Sequence, residues 1–175
     1  MDVKIRPVKN NDFEGILILN KNMYNEALND PDFGDFLFVK MPSKERMRVW
    51  FKGLLNEVRK NDAVYLVAEY NGNIVGQCFV RRDTPGSELS HVGILSILVD
   101  KEYRNRGFGK ELLRSAINAS RNKFEILHLR VFESNKIAKK LYANFGFRSF
   151  GIAPGFIKRN NRYINREYMY LKLFI

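Results

Sequence analysis

The sequence predicts an α+β fold, with a mixed β-sheet of about seven strands layered between about four helices. Three observations carry that expectation. Apolar residues recur at helical intervals in four segments and at strand-like intervals in seven. The segments follow the order β, α, α, three β, α, β, α, two β, the pattern of a sheet with helices on its faces. The 175 residues, 45% apolar, suffice for one full core, and no repeat or linker divides them. Residues 1–175 therefore read as a single domain.

The elements follow in order. "VKIRPV" alternates and stops at Pro7, a short first strand. Asn11 and Asp12 are candidate caps for a helix over "FEGILILNKNMYNEAL", Phe13 to Leu28. Pro31, Gly34 and Pro42 make Asn29 to Ser43 a long, lid-like loop. Ser43 opens a second helix with Met47, Trp50, Phe51, Leu54, Leu55 and Val58 along one face. The period then changes. "AVYLVAEY", "NIVGQCFVRR" and "SHVGILSILVD" read as three strands, the first two joined at Asn71 to Asn73 as a hairpin. "KELLRSAINAS" is helical, "ILHLRVF" a strand and "NKIAKKLYANF" helical, with Ile137, Ala138, Leu141 and Phe145 as its core stripe. "FRSFGIAPGFI" and "RYINREYMYLKLF" make a final strand pair. The apolar run "YMYLKLFI" either finishes this sheet or pairs across a homodimer.

Composition excludes several classes. No apolar segment approaches the roughly 20 residues needed to cross a bilayer, so a soluble chain with no membrane partner is expected. The opening "MDVKIRPVKN" lacks the apolar stretch of a secretory signal, and the lone Cys78 has no internal disulfide partner. Both fit a reducing cytoplasm. Cys78 lies in an apolar strand and reads as a small buried hydrophobe with no catalytic role. The net charge of +11 favours polyanions, yet no zinc-ligand spacing or RNA-binding aromatic signature turns it into a nucleic-acid module.

The chemistry concentrates in "YRNRGFGKELL", which places two glycines and three basic residues at a helix start. Unsatisfied amides and the positive end of the helix dipole make such a terminus an anion site. It is not a Walker A loop, because Arg104 and Glu111 stand where glycine and Ser/Thr are required. Nor is it a dinucleotide fingerprint, because Leu112 occupies the third small position. What remains is strand, Arg-x-x-Gly-x-Gly, helix.

That motif resembles the GNAT superfamily of N-acetyltransferases. "ILVDKEYRNRGFGKELL" looks like the family's acetyl-coenzyme A motif, and "LRVFESNKIAKKLYANFGFRSFG" resembles its second motif, about 25 residues on. The resemblance implies a GNAT-like, mostly antiparallel sheet and acetyl-CoA as cosubstrate, leaving coenzyme A as product. It implies that amides of Arg104, Asn105, Arg106, Gly107, Phe108, Gly109 and Lys110 hold the pyrophosphate. Leu98 and Val99 would pair through their backbones with the pantetheine arm. Asn135 and Ala138 would contact that arm, and Tyr142 would protonate the departing thiolate. Helix geometry supports the last pair: seven residues make about 700° of rotation, so Asn135 and Tyr142 share a face roughly 10 Å apart.

The base is open. Family branches that carry Glu or His on the strand before the glycine loop have it where this chain has Gly93 and Leu95. The branch acting on ribosomal-protein N-termini has Glu where this chain has Arg130. His91 is the candidate, because imidazole is the side chain suited to proton transfer near neutral pH, with Glu69, Glu88, Glu133 or a water chain as alternatives. Asp30, Asp32 and Asp35 in the long loop suit a cationic amine, whereas Lys158, Arg159, Arg162 and Arg166 suit an acidic partner. The expected reaction is acetyl transfer to a primary amine in a ternary complex. Two other readings are a non-catalytic acyl-coenzyme A sensor and a basic nucleic-acid-binding protein.

Overall fold

A computed structural model of the chain describes residues 3–30 and 39–173. Its strands are β1 (Lys4–Pro7), β2 (Ala63–Tyr70), β3 (Asn73–Arg82), β4 (Val92–Val99), β5 (Ile126–Phe132), β6 (Arg148–Arg159) and β7 (Arg162–Lys172). Its α-helices are α1 (Phe13–Asn29), α2 (Lys44–Arg59), α3 (Phe108–Ser120) and α4 (Lys136–Asn144). One sheet holds all seven strands in the order β1-β2-β3-β4-β5-β7-β6. Only β4 and β5 run parallel; the other neighbours are antiparallel.

Alternation along β2 shows how the layers form. Ala63, Tyr65 and Val67 pack with Phe13, Ile16, Phe51 and Leu54 of α1 and α2. Val64, Leu66 and Ala68 pack on the opposite face with Leu112, Leu113 and Ala116 of α3. A strand of period two between two helical layers is buried on both faces, here from Ala63 to Ala68. Each large aliphatic side chain so buried stabilises the fold by about 1.5–3 kcal/mol. Cys78 is fully buried in the α3 layer, where loss of hydration pushes its thiol pKa well up.

The start of α1 differs from the sequence reading, whereas that of α2 agrees with it. Asp12 does not cap α1: its carboxylate accepts from the Lys9 amide and pairs with Arg6, which also binds Glu69. That network ties β1 to β2 and to the start of α1. Ser43 caps α2 by accepting from the Arg46 amide. Asn135 caps α4, its Oδ1 accepting from the Ala138 amide at 3.0 Å. Ile137 is not core but 81% exposed. Ala138, Leu141 and Phe145 pack at the core margin, and Tyr142 is buried.

The C-terminal strand belongs to this sheet, because β7 lies between β5 and β6; among the described residues the edge strands are β1 and β6. Of Lys158, Arg159, Arg162 and Arg166, three lie over aromatic rings, two on the hairpin itself and one on β5. Lys158 lies over Tyr163, Arg159 over Phe132 and the buried Arg166 over Phe156. Of the acidic loop, Asp32 and Asp35 lie outside the described residues. Among the described residues, no helix is long and apolar enough to cross a membrane.

Candidate functional site

The site begins where two strands part. β4 and β5 pair at three positions only, Val92 with Ile126, Gly93 with Leu127 and Ile94 with His128. Beyond Ile94, β4 continues with β3 to Val99, and β5 continues with β7 to Phe132. The wedge between them opens into a cleft of about 940 Å³, at the upper end of small-ligand sites. Main-chain groups on the open side of β4 therefore have no strand partner there among the described residues.

The direction of those groups corrects one expectation. The Asp100 amide donates to Val75, and the Asp83 amide donates to Val92, so even-numbered β4 residues bond to β3. Leu98 is among them and offers the cleft its side chain only. Leu95, Ile97 and Val99 turn their backbones to the opening, and the Val99 carbonyl accepts from Arg104 Nε at 3.0 Å.

The glycine loop closes one end. Gly107 adopts φ +83° and is the N-cap of α3, with no side-chain cap present. The Glu111 amide bonds to the Gly107 carbonyl, so Phe108, Gly109 and Lys110 carry the uncompensated amides of the first turn. A Cβ at Gly109 would lie 3.6 Å from Val99 and 3.8 Å from Leu141, so the protein itself leaves room there. Asn105, Gly107, Gly109 and Lys110 line the cleft. Arg104 also lines it, but its guanidinium is committed to Glu26 of α1 by contacts of 2.6 and 2.7 Å. Its amide donates to Lys101. Arg104 is thus a strut under the loop rather than a free anion ligand. The Phe108 ring is buried against Tyr70, and Arg106 lies over Tyr103, so both face away from an anion at the amides.

α4 supplies the facing wall. Asn135, Ile137, Ala138, Leu141 and Tyr142 all line the same cleft, as the seven-residue spacing requires. Capping uses Asn135 Oδ1 and leaves its Nδ2 donors. Tyr142 packs on Phe147 with 7% of its surface exposed. Three first-turn amides and a lysine, joined to an open strand edge and a half-apolar wall, fit a diphosphate carrying an extended amide-bearing arm.

The proposed bases are not brought to this cleft. The His91 Nδ1 pairs with the Glu88 carbonyl at 2.9 Å on the turn before β4, and neither residue lines the opening. Glu69 is held by Arg6, and Glu133 accepts from Asn165 Nδ2 at 2.7 Å. At Gly93 a Cβ would stand 2.6 Å from Val80 and 2.9 Å from Leu127, so no side chain fits there. Leu95 is buried.

The cleft also opens toward α1 and α2, past Met23, Phe79, Arg81, Asp83 and Arg130. Among the described residues its carboxylates are Glu57, Asp62 and Asp83. Arg81 holds Glu57 by contacts of 2.5 and 2.7 Å, and Arg82 holds Asp62 at 2.9 Å. Asp83 Oδ2 faces His128 Nε2 at 3.5 Å across β4. Burial holds the His128 imidazole below its ordinary pKa; Asp83 opposes that shift and Arg130 adds to it. Sequence reading missed both residues, because 45 positions of separation leave no spacing signal. The signal available was that the chain has only two histidines.

A family model described as "Acetyltransferase (GNAT) family" matches residues 23–147. The chain is 33% identical over 107 residues to the L-amino acid N-acetyltransferase AaaT of Escherichia coli, covering 59% of this chain and 65% of that one. Across the first curated relatives it spans 35–65% of their length. An N-acetyltransferase from Staphylococcus aureus superposes with a TM-score of 0.85 at 22% identity, covering 99% of this chain and 100% of that one. Salmonella typhimurium yncA, solved with acetyl-CoA, gives 0.85 at 18% identity over 100% and 96%. At these identities the superpositions establish the fold.

Proposed function

Because this chain belongs to the acetyltransferase (GNAT) family, we propose that it transfers the acetyl group of acetyl-CoA to a primary amine by direct attack, with both substrates bound. One observation carries the reading: a single cleft runs from three uncapped helix amides, along an unpaired strand edge, to the buried Tyr142. Bound acetyl-CoA supplies an acyl carbon activated as a thioester and a thiol leaving group. The amides of Phe108, Gly109 and Lys110 bind the pyrophosphate, and the Lys110 ammonium adds positive charge. Ile97 and Val99 orient the pantetheine arm by main-chain hydrogen bonds, Asn135 Nδ2 donates to it, and Ala138 packs on it. The Tyr142 hydroxyl gives its proton to the departing sulfur. An ordinary phenol near 10 and a thiol near 8.5 place that transfer within about 2 kcal/mol.

The acceptor is a small-molecule amine, polyamine, amino acid or peptide N-terminus. Neutralising a lysine-like amine near pH 7 costs about 4–5 kcal/mol, against about 1 kcal/mol for an α-amine. A relative named as an L-amino acid N-acetyltransferase supports the second class. The reading places the protein in the cytoplasm, where the lone buried Cys78 needs no partner. Any homodimer would have the β6 edge available to it.

The walled Gly93 and buried Leu95 favour a second reading, an acyl-coenzyme A sensor without transfer. Calorimetric titration with coenzyme A, together with a thiol-release screen of spermidine, L-amino acids and peptide N-termini, separates the two. Release with any amine removes the sensor; binding without release across the screen removes the enzyme. Tyr142→Phe is expected to lower turnover about 10²-fold or more while coenzyme A affinity holds.

A further inference from the structure

Asp83 and His128 meet at the apex of the wedge. His128 occupies the last β4/β5 rung, opposite Ile94, and Asp83 reaches it from the end of β3. β4 contributes only Val92 and Ile94 between them. Asp83 lines the cleft on the side open toward α1 and α2, and it is the one carboxylate there, among the described residues, that no arginine holds. A purely structural histidine has both ring nitrogens satisfied. Here the Nε2 contact is long at 3.5 Å, and Nδ1 is buried with no partner among the described residues.

We propose that Asp83 and His128 form the proton relay for the acceptor amine: Asp83 receives the substrate's ammonium group and passes its proton to His128 Nε2. The inference rests on the acetyltransferase reading above. One N–H bond of the ammonium breaks, and the proton crosses Asp83 to the imidazole. The freed lone pair forms the C–N bond at the thioester carbonyl, and the C–S bond breaks. The new amide nitrogen sheds a second proton, which restores Tyr142 after that hydroxyl has protonated the sulfur. His128 releases its proton to solvent, so an ammonium ion and a thioester become an amide, a thiol and one free proton.

Asp83 touches the amine; His128 acts through it and is a positioning residue. Among the described residues, Asp83 and Arg130, two residues along β5, act on the imidazole; Tyr170 stands opposite on β7, and Arg81 on β3 is already paired with Glu57. Its lowered pKa keeps His128 neutral, and so able to accept, near pH 7.

The test follows the pH dependence of kcat/KM for whichever of spermidine, L-alanine and an alanyl peptide turns over, with side-chain NMR titration of the two histidines. Wild type is expected to lose activity on the acid side as His128 protonates. Asp83→Asn removes the anion that raises the imidazole pKa, so the acid limb and the NMR midpoint both move to lower pH, and kcat/KM falls about 10²-fold or more. His128→Asn, with His128→Gln as its companion should one variant misfold, abolishes the limb while coenzyme A affinity stays unchanged. An acid limb that survives in both His128 variants, or a His128 midpoint that ignores Asp83→Asn, overturns the proposal. Failure to bind coenzyme A is read separately, refutes the acetyltransferase reading, and leaves the NMR midpoint as the test of the pair.

Discussion

Gly107 and Gly109 are two residues apart, yet alanine should affect them in opposite ways. Gly107 holds φ +83° with open space around its missing Cβ, so alanine there is strained by backbone alone. Left-handed backbone costs an L-residue roughly 1–2 kcal/mol, which for a chain of this size lowers Tm by about 2–8 °C. Gly109 sits inside the first turn of α3, where alanine propagates helix better by up to about 1 kcal/mol. Its Cβ would meet only Val99 and Leu141 at ordinary contact distances, so the fold should hold or gain. Both neighbours line the cleft, however, and the new methyl would stand where an anion approaches the first-turn amides. Losing one charge-assisted hydrogen bond costs about 1.5–3 kcal/mol, or roughly 10- to 150-fold in affinity. Thermal melts and calorimetric coenzyme A titration of both variants give the readout. A Gly109→Ala protein that binds coenzyme A like wild type, or that melts as low as Gly107→Ala, refutes the reasoning.

Glu26→Gln should loosen the Arg104 strut, lowering stability by about 1–3 kcal/mol in urea titrations and weakening coenzyme A binding without touching a ligand contact. The second effect is the diagnostic one. Burial raises the Asp12 carboxyl, but the Arg6 guanidinium and Lys9 amide outweigh it and hold the pKa below its ordinary value. A depressed folded pKa gives stability that is present above the unfolded value near 3.9 and lost as pH falls through the folded one. Urea midpoints at pH 7 and pH 3 should therefore differ more in wild type than in Asp12→Asn. Cys78 should resist a colourimetric thiol reagent in the native protein and react stoichiometrically in guanidinium; rapid native labelling would contradict its burial.

Much of the frame was legible locally. The periodicity of β2, the Ser43 cap and the glycine loop are short-range features, decided by side-chain alternation, a hydroxyl three residues from an amide, and φ at one residue. Asn135 and Tyr142 share a cleft because seven residues nearly complete two helical turns. The α4 stripe failed at one position: beside the open wedge no described residue covers Ile137, so an apolar side chain stays exposed.

The elements, their order and the glycine loop with its uncapped helix amides were thus legible along the chain, because those depend on chain-local geometry. Tertiary structure alone decided which groups are free to do chemistry. The amide of Arg104, expected to bind the anion, donates to Lys101 instead, and its guanidinium is spent on a glutamate 78 positions away. Leu98 turns its backbone to β3 because strand register fixes direction. His91 stays on its own turn, while Asp83 meets His128 over a strand that neither belongs to. Charges and main-chain groups acquire their partners only when distant segments pack, and no spacing along the chain records those partners in advance.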